Sequence, residues 1–150
     1  MRRRLAIPLL LTGVFSATVL AFSDKPPADV ATPVKAAVHL FYDRVANGLA
    51  KDNESLFLNR DLAITGYNVG RPDNRTFFQK PPAEFLKRFS TEPKYFVVER
   101  IDVDRVHDYL AVSRVEWKTG GARGHSIITW HKVGDTWRIV SFFQDEHFVW

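Results

Sequence analysis

The chain has 150 residues, a formal net charge of +4 and no cysteine. Without thiols it can build no disulfide, thiolate metal centre or cysteine nucleophile, so its fold is held by the core alone. Twelve Phe, four Trp and four Tyr supply that core, because each large aromatic buries much area.

The positive charge is concentrated at the start. Arg2, Arg3 and Arg4 precede an uncharged apolar run from Leu5 to Phe22, and the small residues Ala21 and Ser23 follow at signal-peptidase spacing. This pattern predicts a secretory signal peptide over residues 1–23, cut after Ser23, with a periplasmic or secreted product. Left uncut, the 18-residue run stands at the short limit for a membrane anchor, and membrane contact is expected only in that case. Removing Arg2–Arg4 takes Lys+Arg from 21 to 18 against 17 Asp+Glu, a charge of about +1. No electrostatic case for a nucleic-acid partner survives that correction. The remaining 127 residues are enough for one core and one domain.

Residues 24–32 are polar, with Pro26 and Pro27 adjacent, and read as a disordered lead. The domain is expected over 33–150. Thr32-Pro33 suits a helix start, with Thr as N-cap and Pro at the first helical position. Val34, Val38, Phe41, Val45 and Leu49 form one apolar helical face, predicting a helix to about Ala50. Residues 51–59 predict a short second helix carrying Leu56 and Phe57. Leu62–Tyr67 reads as a strand, and Asn68–Thr76, rich in turn-forming residues, as a loop. Pro81-Pro82 opens a third helix with Phe85, Leu86 and Phe89 on its apolar stripe.

From Tyr95 the pattern becomes β. Tyr95–Asp102, Tyr109–Lys118, Arg123–Lys132 and Trp137–Phe148 are rich in β-branched and aromatic residues and joined by short turns, which predicts an antiparallel meander. Gly134-Asp135 is the centre of a tight hairpin. With that turn, simple alternation puts Ile128, Trp130, Ile139, Ser141 and Phe143 on one face. Ile127, Thr129, Val140, Phe142 and Gln144 fall on the other. Helices first and strands last define an α+β domain, a curved sheet against a helical layer.

The element order, the segment Leu49–Gly70 and the ending Ile128-Thr-Trp-His-Lys-Val-Gly-Asp-Thr-Trp-Arg-Ile-Val140 resemble the nuclear transport factor 2-like superfamily. Ketosteroid isomerase and the SnoaL-like cyclases share that fold. The resemblance implies a cone-shaped fold over about residues 33–147, with N-terminal helices packed on a curved, mainly antiparallel sheet. It does not imply one chemistry, because the fold hosts many. Where isomerases of this family carry the general base, this chain has Tyr67. Val45 stands at the oxyanion-hole tyrosine position, and Phe143 where related proteins have a histidine on the last strand.

Tyr42, Tyr67, Trp117, Trp130 and Phe143 are the expected lining of a pocket at the open end of the cone, suited to a small apolar or aromatic molecule. His125 and Gln144 are the expected polar pair at its mouth. His131 falls opposite Arg138, and lies about 20 Å from His125 at strand rise, too far to share a metal. In Asp145-Glu146-His147 only Asp145 and His147 share a side, and no second ligand pair stands out, so neither metal nor cofactor is expected. His39 and Asp43 read as a surface pair. Asn53-Glu-Ser55 and Asn74-Arg-Thr76 are glycosylation sequons. Both faces of the sheet are apolar while the helices cover only one, which predicts a homodimer through the other. A non-catalytic exported binder is the first functional expectation. The alternatives are an enzyme of the isomerase, cyclase or hydrolase type using Tyr67, Asp61 or His125, and an envelope assembly module that keeps its N-terminal anchor.

Overall fold

The computed structural model describes residues 29–71, 74–89 and 95–148. The expected signal peptide and the first part of the lead, residues 24–28, lie outside them. Among the described residues no helix is long and apolar enough to cross a membrane.

Helix α1 spans Ala31–Ala46 and begins two residues before Pro33. The earlier start has a physical cause. Asp29 Oδ1 accepts the Thr32 N–H at 3.2 Å, and Val30 is buried in the core, so the chain is tied down before the proline. The Thr32 hydroxyl and N–H also hold the Asp29 carboxyl below the ordinary range. The helix stops at Ala46, short of Ala50, because Gly48 takes φ 74° and turns the chain out. Val34, Val38, Phe41, Tyr42 and Val45 are its buried stripe, and it lies chiefly against the strand Phe96–His107. A 3-10 helix follows at Ala50–Leu56. Its exit is fastened to the sheet centre by Leu58 N–H donating to the Ile139 carbonyl at 2.9 Å.

Strands β1 (Ile64–Arg71) and β2 (Asn74–Lys80) form a hairpin where the sequence predicted a loop. Val69 pairs with Arg75 and Arg71 with Asn74. Main-chain pairing tolerates the Asn, Gly and Thr residues on either side, and Thr76-Phe77-Phe78 favours extension. Helix α2 (Pro82–Lys87) has Pro82 at its start and buries Phe85 and Leu86.

Strands β3 (Phe96–His107), β4 (Leu110–Thr119), β5 (Ala122–Val133) and β6 (Thr136–Phe148) make the antiparallel meander. The sheet order is β2-β1-β6-β5-β4-β3, with β1 parallel to β6. The fold is therefore α+β: a helical layer against one face of a curved six-stranded sheet. The other face has no layer from the described residues over it.

One irregularity decides which side chains face which way. Thr129 pairs with Ser141 and Trp130 with Ile139, so Val140 is an extra residue on β6. Beyond this bulge the simple alternation is out of phase. Phe142 points inward and is 1% exposed, whereas Phe143 is half-buried on the outer face. Gln144 likewise moves to the inner side, 4% exposed. A slip of one residue exchanges the two faces of a strand.

Candidate functional site

The inner face of the sheet is filled rather than hollow where the expected pocket residues sit. Tyr42, Trp117 and Trp130 are 3%, 2% and 0% exposed. Tyr42 Oη donates to Ser126 Oγ at 2.7 Å, and Trp117 Nε1 donates to the same oxygen at 3.1 Å. Trp130 Nε1 donates to Ser113 Oγ at 2.8 Å. Phe96 lies between Tyr42 and Trp117, with ring centroids 5.1 and 4.9 Å away. Each polar tip of these aromatics thus has a partner inside the core, which is how buried Tyr and Trp are normally satisfied. Burial pushes the Tyr42 phenol far above the ordinary tyrosine range, and the Ser126 hydrogen bond only partly offsets this. Its proton is held for the hydrogen bond, so Tyr42 is a poor base.

Gly124 explains how the Trp117 indole fits. A Cβ at that position would stand 2.2 Å from the Trp117 ring and 2.5 Å from the Asp145 carbonyl oxygen. A glycine inside a strand is the sequence signal for such a close approach. Gly120 and Gly121, in the turn before β5, have open space instead, and an added Cβ there would meet nothing within 4 Å.

Tyr67 and Phe143 stand on the opposite side of the sheet. In β1 Ile64 and Gly66 are buried, so Tyr67 projects outward. Its ring lies 5.5 Å from Phe77 and 6.2 Å from Phe143. Ile127 pairs with Phe143. Phe77 is 53% and Ile127 45% exposed, so four apolar side chains from β2, β1, β6 and β5 form an open patch. The five expected pocket aromatics are therefore split three and two by the sheet and do not meet. Of the three positions compared with the family's catalytic groups, Tyr67 and Phe143 face outward and Val45 is core.

His125 is exposed on the outer face and pairs with Asp145; Ser126 is the residue opposite Gln144. The expected His125–Gln144 pair is thus separated by the sheet, again because of the Val140 bulge. The His125 and His147 rings are 5.7 Å apart, and His147 Nδ1 is 3.9 Å from Asp145 Oδ1. His131 does lie opposite Arg138, with its ring edge-on to Tyr109 at 5.7 Å. His39 and Asp43 are both exposed. Asn53 is fully buried and donates to the Phe41 carbonyl at 2.9 Å, so the first sequon is not displayed by the folded chain.

The helical side carries an open depression of about 740 Å³ lined by Arg44, Lys51, Asp52, Phe57 and Arg60. Arg44 is occupied there, donating to the Asp52 carbonyl at 3.1 Å.

The helix–helix–hairpin–helix–meander order and the mixed six-stranded sheet define the nuclear transport factor 2-like fold. Solved structures bear this out. An NTF2-like protein of unknown function from Methylobacillus flagellatus superposes with a TM-score of 0.61, at 18% identity over 82% of this chain and 96% of that one. Another from Shewanella baltica gives 0.60, at 16% identity over 77% and 92%. A candidate dehydratase of the NTF2-like family from Streptomyces avermitilis gives 0.55, at 17% identity over 76% and 93%. At these identities the likeness is one of fold. No protein-family profile matches the sequence, and no curated protein does.

Proposed function

We propose that the chain is an exported, non-catalytic binding protein that works as a homodimer through the outer face of its sheet. The carrying observation is the patch of Tyr67, Phe77, Ile127 and Phe143, open to solvent beside inner aromatics whose polar atoms are already partnered. Standard protein interfaces bury about 800 Å² per partner around an aromatic centre. Three aromatics and an isoleucine spread over four strands supply such a centre. Export rests on the Met1–Ser23 pattern, and nucleic acid is disfavoured by the charge of the remaining residues.

Light scattering on residues 24–150 tests the dimer. Twice the chain mass is expected for the parent and the single mass for Phe77→Ser. A parent at single mass at 100-fold higher concentration would contradict the reading. Mass spectrometry of the protein from its own host tests export, with an Asp24 start expected. An intact Met1 would favour an anchored envelope module instead.

A small apolar or aromatic molecule is the second reading. Phe96 is the half-buried middle ring of the Tyr42–Phe96–Trp117 set, and a flat ligand could pack against the part of it left open to solvent. Such a ligand would shift Trp117 emission. Unchanged emission across a series of polycyclic aromatics counts against it.

A further inference from the structure

We infer that His125, Asp145 and His147 form a binding site for a first-row divalent cation on the outer face of the sheet. Asp145 and His147 are two apart on β6 and share its outer side; His125 on β5 pairs with Asp145. Two donors at i and i+2 on one strand, with a third directly across, make a triangle. Its corners are set by the strand repeat and the spacing of about 4.7–4.9 Å between strands.

The side chains are consistent with it. The imidazole centroids are 5.7 Å apart. Two histidines on one zinc, each at about 2.0–2.1 Å, hold their centroids roughly 5–6 Å apart. Asp145 Oδ1 is buried without a hydrogen-bond partner, an unusual state for a carboxylate oxygen, and it lies 3.9 Å from His147 Nδ1. A cation would satisfy that oxygen. Among the described residues no group of three or more His, Cys, Asp or Glu side chains is already arranged to hold a metal ion. The site therefore forms by rotation of the imidazoles, which have room to turn: His125 is exposed, and the His147 side chain is 39% exposed.

Two imidazoles and one carboxylate suit zinc and its neighbours rather than calcium or magnesium, which prefer all-oxygen sets. Three protein ligands leave a coordination position open. His125 also lines a depression of about 370 Å³ with Arg114, Glu116 and Ile127, which gives room for a water or a small anion at that position. The sequence alone hid the set because its third member lies twenty residues away, and simple alternation placed it beside Gln144.

Cobalt(II) is the probe that reads ligand geometry directly. Titrated into metal-free residues 24–150 at pH 7.5, it is expected to give visible d–d bands at one equivalent, displaced by zinc. His125→Ala and Asp145→Asn, on different strands, are each expected to weaken zinc binding at least about tenfold by calorimetry. His131→Ala, on the same strand and face as His125, is expected to leave it unchanged. Binding with no d–d bands, or equal binding by parent, His125→Ala and Asp145→Asn, overturns the site, as does absence of binding. Far-ultraviolet dichroism of each variant separates a lost ligand from a lost fold.

Discussion

Ile139 and Phe142 both point into the core although they are three residues apart on one strand. Regular alternation would put them on opposite sides, and the extra residue Val140 reconciles them. Phe142 then meets Phe41 and Phe85, with ring centroids 5.4 and 5.6 Å away, while Phe143 joins Tyr67 outside. Phe142→Ala is expected to lose about 3–5 kcal/mol of stability, the usual range for an emptied aromatic core site. Phe143→Ala should lose no more than about 1–2 kcal/mol. Urea unfolding at low protein concentration checks the ranking, and the reverse order would place the bulge wrongly.

Ser126 serves two donors and Ser113 one. Ser126→Ala leaves both Tyr42 and Trp117 without an acceptor, at about 1–3 kcal/mol for each buried unsatisfied group. Ser113→Ala strands only Trp130. Ser126→Ala should therefore be the more destabilising by about one such increment. Adding Tyr42→Phe to Ser126→Ala should recover part of the loss, because the stranded hydroxyl is gone. Equal midpoints for the two serine variants would show that the shared hydrogen bond is not made.

Tyr42 gives the fold an alkaline limit. Burial raises its pKa in the folded state, so the phenol keeps its proton where the unfolded chain, with a tyrosine pKa of about 10, has lost it. The unfolded state then binds fewer protons, and stability falls as pH rises. The Tyr42 contribution is complete below pH about 10 and declines above it, at up to about 1.4 kcal/mol per pH unit. Tyr42→Phe should show a shallower decline than the parent between pH about 10 and 11. Parallel curves would mean that the hydroxyl is not buried when folded.

Gly124 is predicted to be intolerant. Gly124→Ala forces the new Cβ against the Trp117 indole and the Asp145 backbone, and the backbone contact cannot swing aside. A loss of about 1–3 kcal/mol and an altered Trp117 emission are expected. Gly120→Ala, with open space around it, is the control and should change neither.

Much of the fold was legible in the sequence because periodicity is a local property. The stripe Val34–Val45, the Pro82 start of α2 and the Gly134 turn each specify an element from a few neighbouring residues. Asn68–Thr76 was less legible, since its strand character comes from pairing across the hairpin and not from its composition. The site was least legible. Whether Phe143 or Phe142 lines the interior depends on one bulge, which arises from how Thr129–Trp130 meets Ile139–Ser141 across two strands. Sequence alternation alone carries no record of it. Tyr42, Trp117 and Trp130 share one side of the sheet and are buried, but composition does not distinguish a lined cavity from a filled one. The partners Ser113 and Ser126 decide that here.

In the proposed dimer a second copy docks on the open face of the sheet, around Tyr67, Phe77, Ile127 and Phe143. The absence of native cysteine makes single-cysteine probes clean reporters. Thr65→Cys, Ile127→Cys and Thr129→Cys place thiols on that face; Lys35→Cys and Asp43→Cys place them on exposed positions of α1. Under mild oxidation, disulfide-linked dimers are predicted from at least one outer-face position and from neither helix position. Dimers from the helix positions, or none from the sheet, would contradict the account.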